Sequence, residues 1–508
     1  MEPPNPWTVA PPYPPPPAQP AWGWTPPPPQ PERPKRVPKR YLKLRSGVDR
    51  RVLLGAVVAG LVFDLAARSG FVTISGMLLV LTVAVALLLS RRIEGLASRL
   101  LIAAAPILGV MLVLRSSPWV IAPTVLSIAL LLMLGVSLGA DGAGLRSTFP
   151  AFGNRIALVT GHLVFASGLF RPSIEGSPDG VARRRAIASA RGALLAVPVM
   201  VVIGLLLESA DPVFRSWFDL PALLGHIILL LCGAWVYVGL TRAASAVEPL
   251  TPMPSAPSLG TVEAAWVLGG LCILYAAFVV AQFVALLGGG HHVLVTHDLT
   301  YAQYARSGFF QLLACAGITL LVLLGVRACT EPARRILMVL CGTTVVLTLA
   351  VVVVAIRRLQ LYEAAFGLTL LRLACLVAAA WIGVVFVLLG VSLPERGLRR
   401  RWLPAAVVLS GVLFVGLWGF SNPASVVAQT NLSRAEQGRP FDVTQAAGLG
   451  PDALPTLAAG LGHLGAVQEY RLRRAICGRS TTSAAGAAFN QSIAAADRAT
   501  TGTCSRPR

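Results

Sequence analysis

Long uninterrupted apolar runs separated by short polar connectors set the pattern of this chain. They fall at residues 52–67, 71–90, 100–114, 119–139, 192–207, 222–240, 262–287, 309–326, 336–356, 368–391 and 402–420. Each is roughly 15 to 26 residues long, close to what an α-helix needs to cross about 30 Å of hydrocarbon at 1.5 Å per residue. Residues 345–356 show none of the apolar–polar alternation that a membrane barrel strand requires. Because helices satisfy their own backbone hydrogen bonds in lipid, the pattern predicts an all-α, polytopic transmembrane helical bundle of about 11 spans. Residues 152–170 depart from it. Asn154, Arg155 and His162 interrupt the apolar positions there, which predicts an amphipathic helix lying at the inner membrane surface. Read instead as a twelfth span, that stretch would move the C-terminus to the other side.

Composition excludes a soluble alternative: 55% hydrophobic residues, 13% charged ones and a mean hydropathy of +0.71 across 508 residues. The net charge of +21 would suggest a nucleic-acid partner, but the cations sit between the apolar runs, where they orient a membrane protein. With a cytoplasmic N-terminus, the inner connectors hold 27 Lys or Arg residues and the outer ones six, before the C-terminal tail is counted. The expected organisation is a disordered, proline-rich, basic cytoplasmic tail (1–51), a transmembrane domain (52–420) and a small helical extracytoplasmic region (421–508).

The first 40 residues hold 17 of the 38 prolines, interleaved with Trp7, Tyr13, Trp22 and Trp24. No packed core forms from such a segment. It samples extended polyproline II and is either a spacer or a ligand for a cytoplasmic proline-binding partner. The segment lacks the short apolar core of a secretory signal, so insertion is expected to rely on the first spanning helix. In the C-terminal region Asn422 and Pro423 read as the cap and first position of a helix, Gly438 and Pro440 as its stop, and Asp442 as the next cap. Val427, Leu432, Phe441, Leu449, Leu454 and Leu457 supply a small core. Six of the eight cysteines lie in or beside apolar runs as packing residues. Cys477 and Cys504 stand apart in the polar tail, and both a disulfide and two free thiols remain open there.

Candidate chemistry is sparse. Gly135-Val136-Ser137-Leu138-Gly139 has the spacing of a nucleophile elbow, but it ends a spanning helix and reads better as a small-residue helix contact. His291, His292, His297 and Asp298 share one outer loop as possible metal ligands or pH sensors, yet adjacent histidines rarely face one ion. No P-loop, HExxH, dinucleotide fingerprint or DNA-reading module is present, so neither a catalytic constellation, a cofactor nor a nucleic-acid partner is expected. Ionisable groups inside spans carry more information. Asp64 and Arg372 lie at a shared depth near the outer boundary and could pair across the first and tenth spans. Equally, Asp64 could pair with Arg68 one turn on while Arg372 snorkels outward. Asp211, Gln282, Tyr301, Tyr304 and Arg306 crowd the same outer face, as an entrance or as an aromatic belt.

Several strings resemble a known family: Ser209-Ala210-Asp211-Pro212-Val213-Phe214, Gln282-Phe283, Gly289-Gly290, the run from Tyr301 to Leu312, Phe366-Gly367-Leu368-Thr369 and Leu371-Arg372-Leu373. Together with Asn422-Pro423-Ala424, Asn431-Leu432 and the stretch from Asp442 to Pro455, they look like the bacterial membrane family catalogued as domain of unknown function 4173, over roughly residues 183–461. That resemblance implies a polytopic envelope protein of the bacterial plasma (inner) membrane with no established activity. Phe366 stands where the resemblance implies a tyrosine, removing a hydroxyl near Arg372. The expected role is an envelope scaffold or sensor. A secondary transporter lined by Asp64, Arg372 and Gln282 is the alternative, and a membrane-embedded transferase comes third.

Overall fold

The computed structural model describes residues 50–141, 149–166, 203, 220–245, 260–287, 301–329, 335–394, 401–478 and 484–505, and all regular structure among them is helical. Nine of the described helices are long and apolar enough to cross a bilayer. They are α1 (Arg50–Ser69), α3 (Leu96–Gly109) continued by α4 (Met111–Leu114), α5 (Pro118–Asp141), α7 (Leu220–Ser245), α8 (Thr261–Leu287), α9 (Tyr301–Cys329), α10 (Arg335–Phe366), α11 (Leu370–Val391) and α12 (Leu403–Phe420). The 16-residue α2 (Ile74–Leu89) is apolar but shorter, and α6 (Phe149–Val164) precedes α7. The chain is therefore a polytopic transmembrane helical bundle. Of the span expected at 192–207, all but residue 203 lies outside the described residues.

Two cores organise the bundle. The first gathers α1, α2, α3, α5, α6 and α7 around Leu87, Ile102, Leu131, Leu134 and Tyr237. The second gathers α8, α9, α10 and α11 around Leu268, Leu323, Phe386 and Leu389. Only α12 feeds both among the described residues, giving Ala405 to the first and Leu403 to the second.

Lipid supplies no hydrophobic force between helices, so close packing must hold them together. At the α1–α7 crossing, a Cβ built on Gly60 would lie 2.5 Å from the Leu230 carbonyl oxygen, and one on Gly233 would lie 2.4 Å from Phe63 Cβ. The missing side chains are what let these two backbones meet. The α3–α5 contact works the same way: Ser98 Oγ donates to the Gly135 carbonyl, and a Cβ on Gly135 would meet Ile102 Cγ1 at 2.6 Å. Pro106 inside α3 precedes the break at Val110, as expected where a helix loses a backbone donor.

α6 turns its polar residues inward. Arg155 and His162 are 3% and 7% exposed, and Arg155 Nη1 donates to the Ser137 carbonyl and hydroxyl at 3.2 and 3.3 Å. Burial, with the Arg242 charge on α7 adding to it, pushes His162 down from its ordinary 6.5 to about 4.

After α12 the chain forms α13 (Pro423–Glu436), α14 (Val443–Gly448), α15 (Leu454–Ala459), α16 (Ala466–Cys477) and α17 (Gln491–Cys504). Asn422 starts α13 from a left-handed backbone, φ 50°, and its Oδ1 accepts from Ser425 N at 3.3 Å. Asp442 caps α14 through Gln445 N at 3.0 Å, and Gly438 turns the chain between them with φ 77°. Val427, Leu432, Leu449, Leu454 and Leu457 are buried together, with Phe441 packed against them. Leu368, from the α10–α11 connection, belongs to the same core. These C-terminal helices thus cap one end of the bundle. The other end carries Arg50, Arg51, Arg91, Arg92, Arg242 and Arg327.

Candidate functional site

The capped end gathers Asp64, Arg372 and the strings around Gly367, Asn431 and Asp442. On α1, the Asp64 carboxylate accepts from Arg68 Nε at 3.0 Å, one turn on, and from His226 Nδ1 of α7 at 2.6 Å. Arg68 Nη2 also reaches the Ala222 carbonyl at 3.4 Å. The cross-helix pairing of Asp64 with Arg372 is not formed, because α1 packs on α7 in the first core whereas α11 lies in the second. His226 had a signal that reading missed: it sits a few residues into its own span, at the same end as Asp64.

Arg372 turns back on its own connection. Its Nη1 donates to the Gly367 carbonyl, its guanidinium lies 4.3 Å from the Tyr362 ring centroid, and its backbone N–H donates to the Thr369 hydroxyl that caps α11. Cation–π attraction to Tyr362 thus fills the place where the missing hydroxyl of Phe366 was expected to matter. Phe366 itself is exposed and packs against Tyr362 at 5.0 Å between centroids. One turn before Tyr362, Arg358 donates to Gln282 Oε1 of α8 at 3.3 Å. Phe309 of α9 packs beneath, with Ala355, Leu359 and Ala379.

Gly367, with φ 81°, makes the turn between α10 and α11, and the C-terminal helices grip it. The Asn431 side chain imitates a backbone partner: its Oδ1 accepts from Leu368 N at 2.9 Å and its Nδ2 donates to Leu368 O at 2.8 Å. Gln445 adds a bond to that same carbonyl at 2.7 Å, while Arg434 and Arg439 donate to Ala364 O at 2.8 and 3.1 Å. The resemblance strings around Gly367, Asn431 and Asp442 are therefore one structural unit.

A second grip holds the first core. The Asp452 carboxylate, 5% exposed, accepts from Ser116 N at 3.1 and 3.2 Å and from Ser117 N at 2.7 Å, at the start of α5. Asn490 Nδ2 lies within reach of three carbonyls, Val72 at 2.9 Å, Leu112 at 3.1 Å and Arg115 at 3.0 Å. Arg115 donates through Nε to Gly419 O at 2.8 Å and through Nη2 to Phe420 O at 3.0 Å, and Trp418 Nε1 donates to Trp119 O at 2.9 Å. Burial pushes the Arg115 guanidinium down from its ordinary value, opposed by the charge of Asp452. Cys477 and Cys504 are joined by a disulfide that ties α16 to α17.

Of the other sequence candidates, Asp211 and the loop with His291, His292, His297 and Asp298 lie outside the described residues, as do the side chains of Tyr301, Tyr304 and Arg306. Ser137 of the elbow-like string meets Arg155 rather than a base. Among the described residues, no three His, Cys, Asp or Glu side chains gather as a metal site.

Residues 101–460 match the family model described as Domain of unknown function (DUF4153). The resemblance to domain of unknown function 4173 is corrected accordingly, to a different family of the same kind. The matched region runs from within α3 to α15, so it includes both grips on Gly367 and Ser116 but not α16, α17 or their disulfide. No curated protein and no solved structure matches the chain.

Proposed function

Because the chain belongs to the DUF4153 family, whose description assigns no activity, we propose from its geometry that it is a scaffold or sensor of the bacterial cell envelope. The C-terminal cap is the observation that carries this reading. Its side chains bond to backbone of both helical sets, at Ser116 and Leu112 in one and at Leu368 and Ala364 in the other. Anything that binds or displaces the cap then acts on both sets at once. Transport along Asp64, Arg372 and Gln282 draws no comparable support, since each is engaged by a different neighbour.

In this reading the protein sits in the plasma membrane with its N-terminus in the cytosol and the cap outside. Two independent features support that direction: the connectors between spans hold far more cations on the uncapped side than on the capped side, and a disulfide, favoured in an oxidising compartment, lies in the cap. The proline-rich tail would then recruit a cytoplasmic partner carrying a proline-binding groove. Crosslinked copurification with residues 1–51 present or deleted tests this, alongside a reporter fused after Arg508. The reading expects a partner lost with the tail and a reporter active only outside. An unchanged partner set removes the recruiting role, and a reporter active in the cytosol removes the orientation.

A further inference from the structure

A groove runs along the junction of the two helical sets, with α12 as its floor and α5 and α11 as its walls. It is lined by Trp119, Leu126 and Leu130 of α5, Trp381 of α11, and Val408 and Trp418 of α12, and its volume is about 610 Å³. That is the size of a small-molecule site. It extends from Pro118 to Leu130, roughly 18 Å at helical rise, against about 15 Å for one leaflet of a typical bilayer. Small residues make the room: Ala122, Ala374 and Gly411 line it, and Trp381 lies over Gly411 with its Nε1 bonded to Ser410 Oγ at 3.2 Å. A cavity this apolar does not hold water, so at membrane depth it takes hydrocarbon.

The mouth of the groove at the capped end carries a cation. Arg115 precedes Pro118 by three residues, and its guanidinium bonds to Gly419 and Phe420, the residues that follow Trp418. Those two bonds leave Nη1 without an acceptor among the described residues. An arginine held at the interface over an apolar slot one leaflet deep has complementary chemistry to an anionic phospholipid.

We propose that the groove between α5, α11 and α12 binds one acyl chain of an anionic phospholipid, with the phosphate on Arg115. The site is distinct from general lipid contact. Val280, Phe283 and Val284 of α8 are exposed and line neither this groove nor the one beside Trp266, and this α8 surface serves as the internal control.

The test uses the full chain in nanodiscs doped with phosphatidylglycerol bearing a photoreactive diazirine in its acyl chain. Peptide mapping reads the adducts. The expected result is labelling in 118–130, 374–381 and 407–418 at least about fivefold above the α8 surface, competed by unlabelled phosphatidylglycerol and not by phosphatidylcholine. Ala374→Trp and Ala122→Trp, each filling the groove, should remove that excess while α8 labelling stays. Arg115→Gln should keep labelling but lose the preference for the anionic head. Uniform labelling of α8 and groove peptides overturns the proposal, as does labelling indifferent to either tryptophan in a protein that still elutes as a folded species. If the tryptophans change the oligomeric mass without changing the adducts, a second copy occupies the groove and the lipid proposal is likewise overturned.

Discussion

Replacing Asp452 by alanine tests whether the cap is held as described. The carboxylate accepts from two backbone N–H groups, Ser116 and Ser117, where α5 begins, and only 5% of the residue is exposed. Alanine leaves both donors in a site that water barely reaches. A stranded buried donor costs about 1–3 kcal/mol, and loss of an anion from a helix N-terminus adds about 0.5–1 kcal/mol. The sum is about 4 kcal/mol of local stability. At 1.4 kcal/mol per tenfold, that is roughly a 10³-fold rise in the opening equilibrium of this connection.

Hydrogen exchange measured by mass spectrometry reads that opening directly in detergent or nanodiscs. Peptides covering Ser116 and Ser117 should lose about three decades of protection in Asp452→Ala. Asp452→Asn keeps one acceptor oxygen and should lose about one decade, or about 1.4 kcal/mol. The α10–α11 turn, held by Asn431 and not by Asp452, is the reference and should change little. A protected Ser116–Ser117 segment in a folded Asp452→Ala protein, within tenfold of the parent, would refute the grip.

Three further outcomes follow from the packing and the charges. Gly60→Leu should overpack the α1–α7 crossing by about 1–3 kcal/mol or more and lower the melting temperature in detergent, whereas an unchanged melting temperature would mean the helices do not meet there. Cys477→Ser opens a loop of about 28 residues and should cost roughly 3.5 kcal/mol in the chain-entropy model, seen as faster proteolysis within α17. Equal rates for the parent and the variant would contradict it. His162 titrates near 4 in the fold and near 6.5 unfolded, so the unfolded chain takes its proton first. Stability is therefore intact above about pH 6.5 and falls as pH drops toward 4, by up to about 3 kcal/mol. His162→Gln should flatten that decline in a melting-temperature series, and identical slopes for the two proteins would exclude His162 as its source.

The spans were legible because the signal for them is local: run length and hydropathy need no knowledge of neighbours. The caps at Asn422 and Asp442 were legible for the same reason, since a side chain and an amide three residues on belong to one short segment. The Asp64–Arg68 pairing, one turn apart, was open to the same local reading, but partner choice across helices was not. Depth along the membrane normal can be counted from a sequence, and it placed Asp64 and Arg372 at one level, but several groups share that level. Which of them are lateral neighbours depends on helix packing, and packing gave Asp64 to His226. Asn490 was invisible for a stronger reason. Its three acceptors come from Val72, Leu112 and Arg115, hundreds of residues away, and nothing in its own segment distinguishes it from any helix-capping asparagine.

Polar bonds at the capped end connect both helical sets, and that bears on how a cap could signal. At the uncapped end, Arg92 bonds to Ser245 at 2.6 Å and Arg155 to Ser137 in the first set, and Arg327 bonds to Ser392 at 2.7 Å in the second. At the capped end, one continuous chain from Asn422 to Asn490 bonds to both. Between the ends only α12 lies in both cores among the described residues, and a groove opens beside it. Because the cap bonds to backbone of both sets, their relative position at that end is fixed through it. A lipid chain in the groove would touch both sets along the seam that the cap closes at its end, so occupancy of the cap and of the groove would be coupled, each changing the affinity of the other by the same factor.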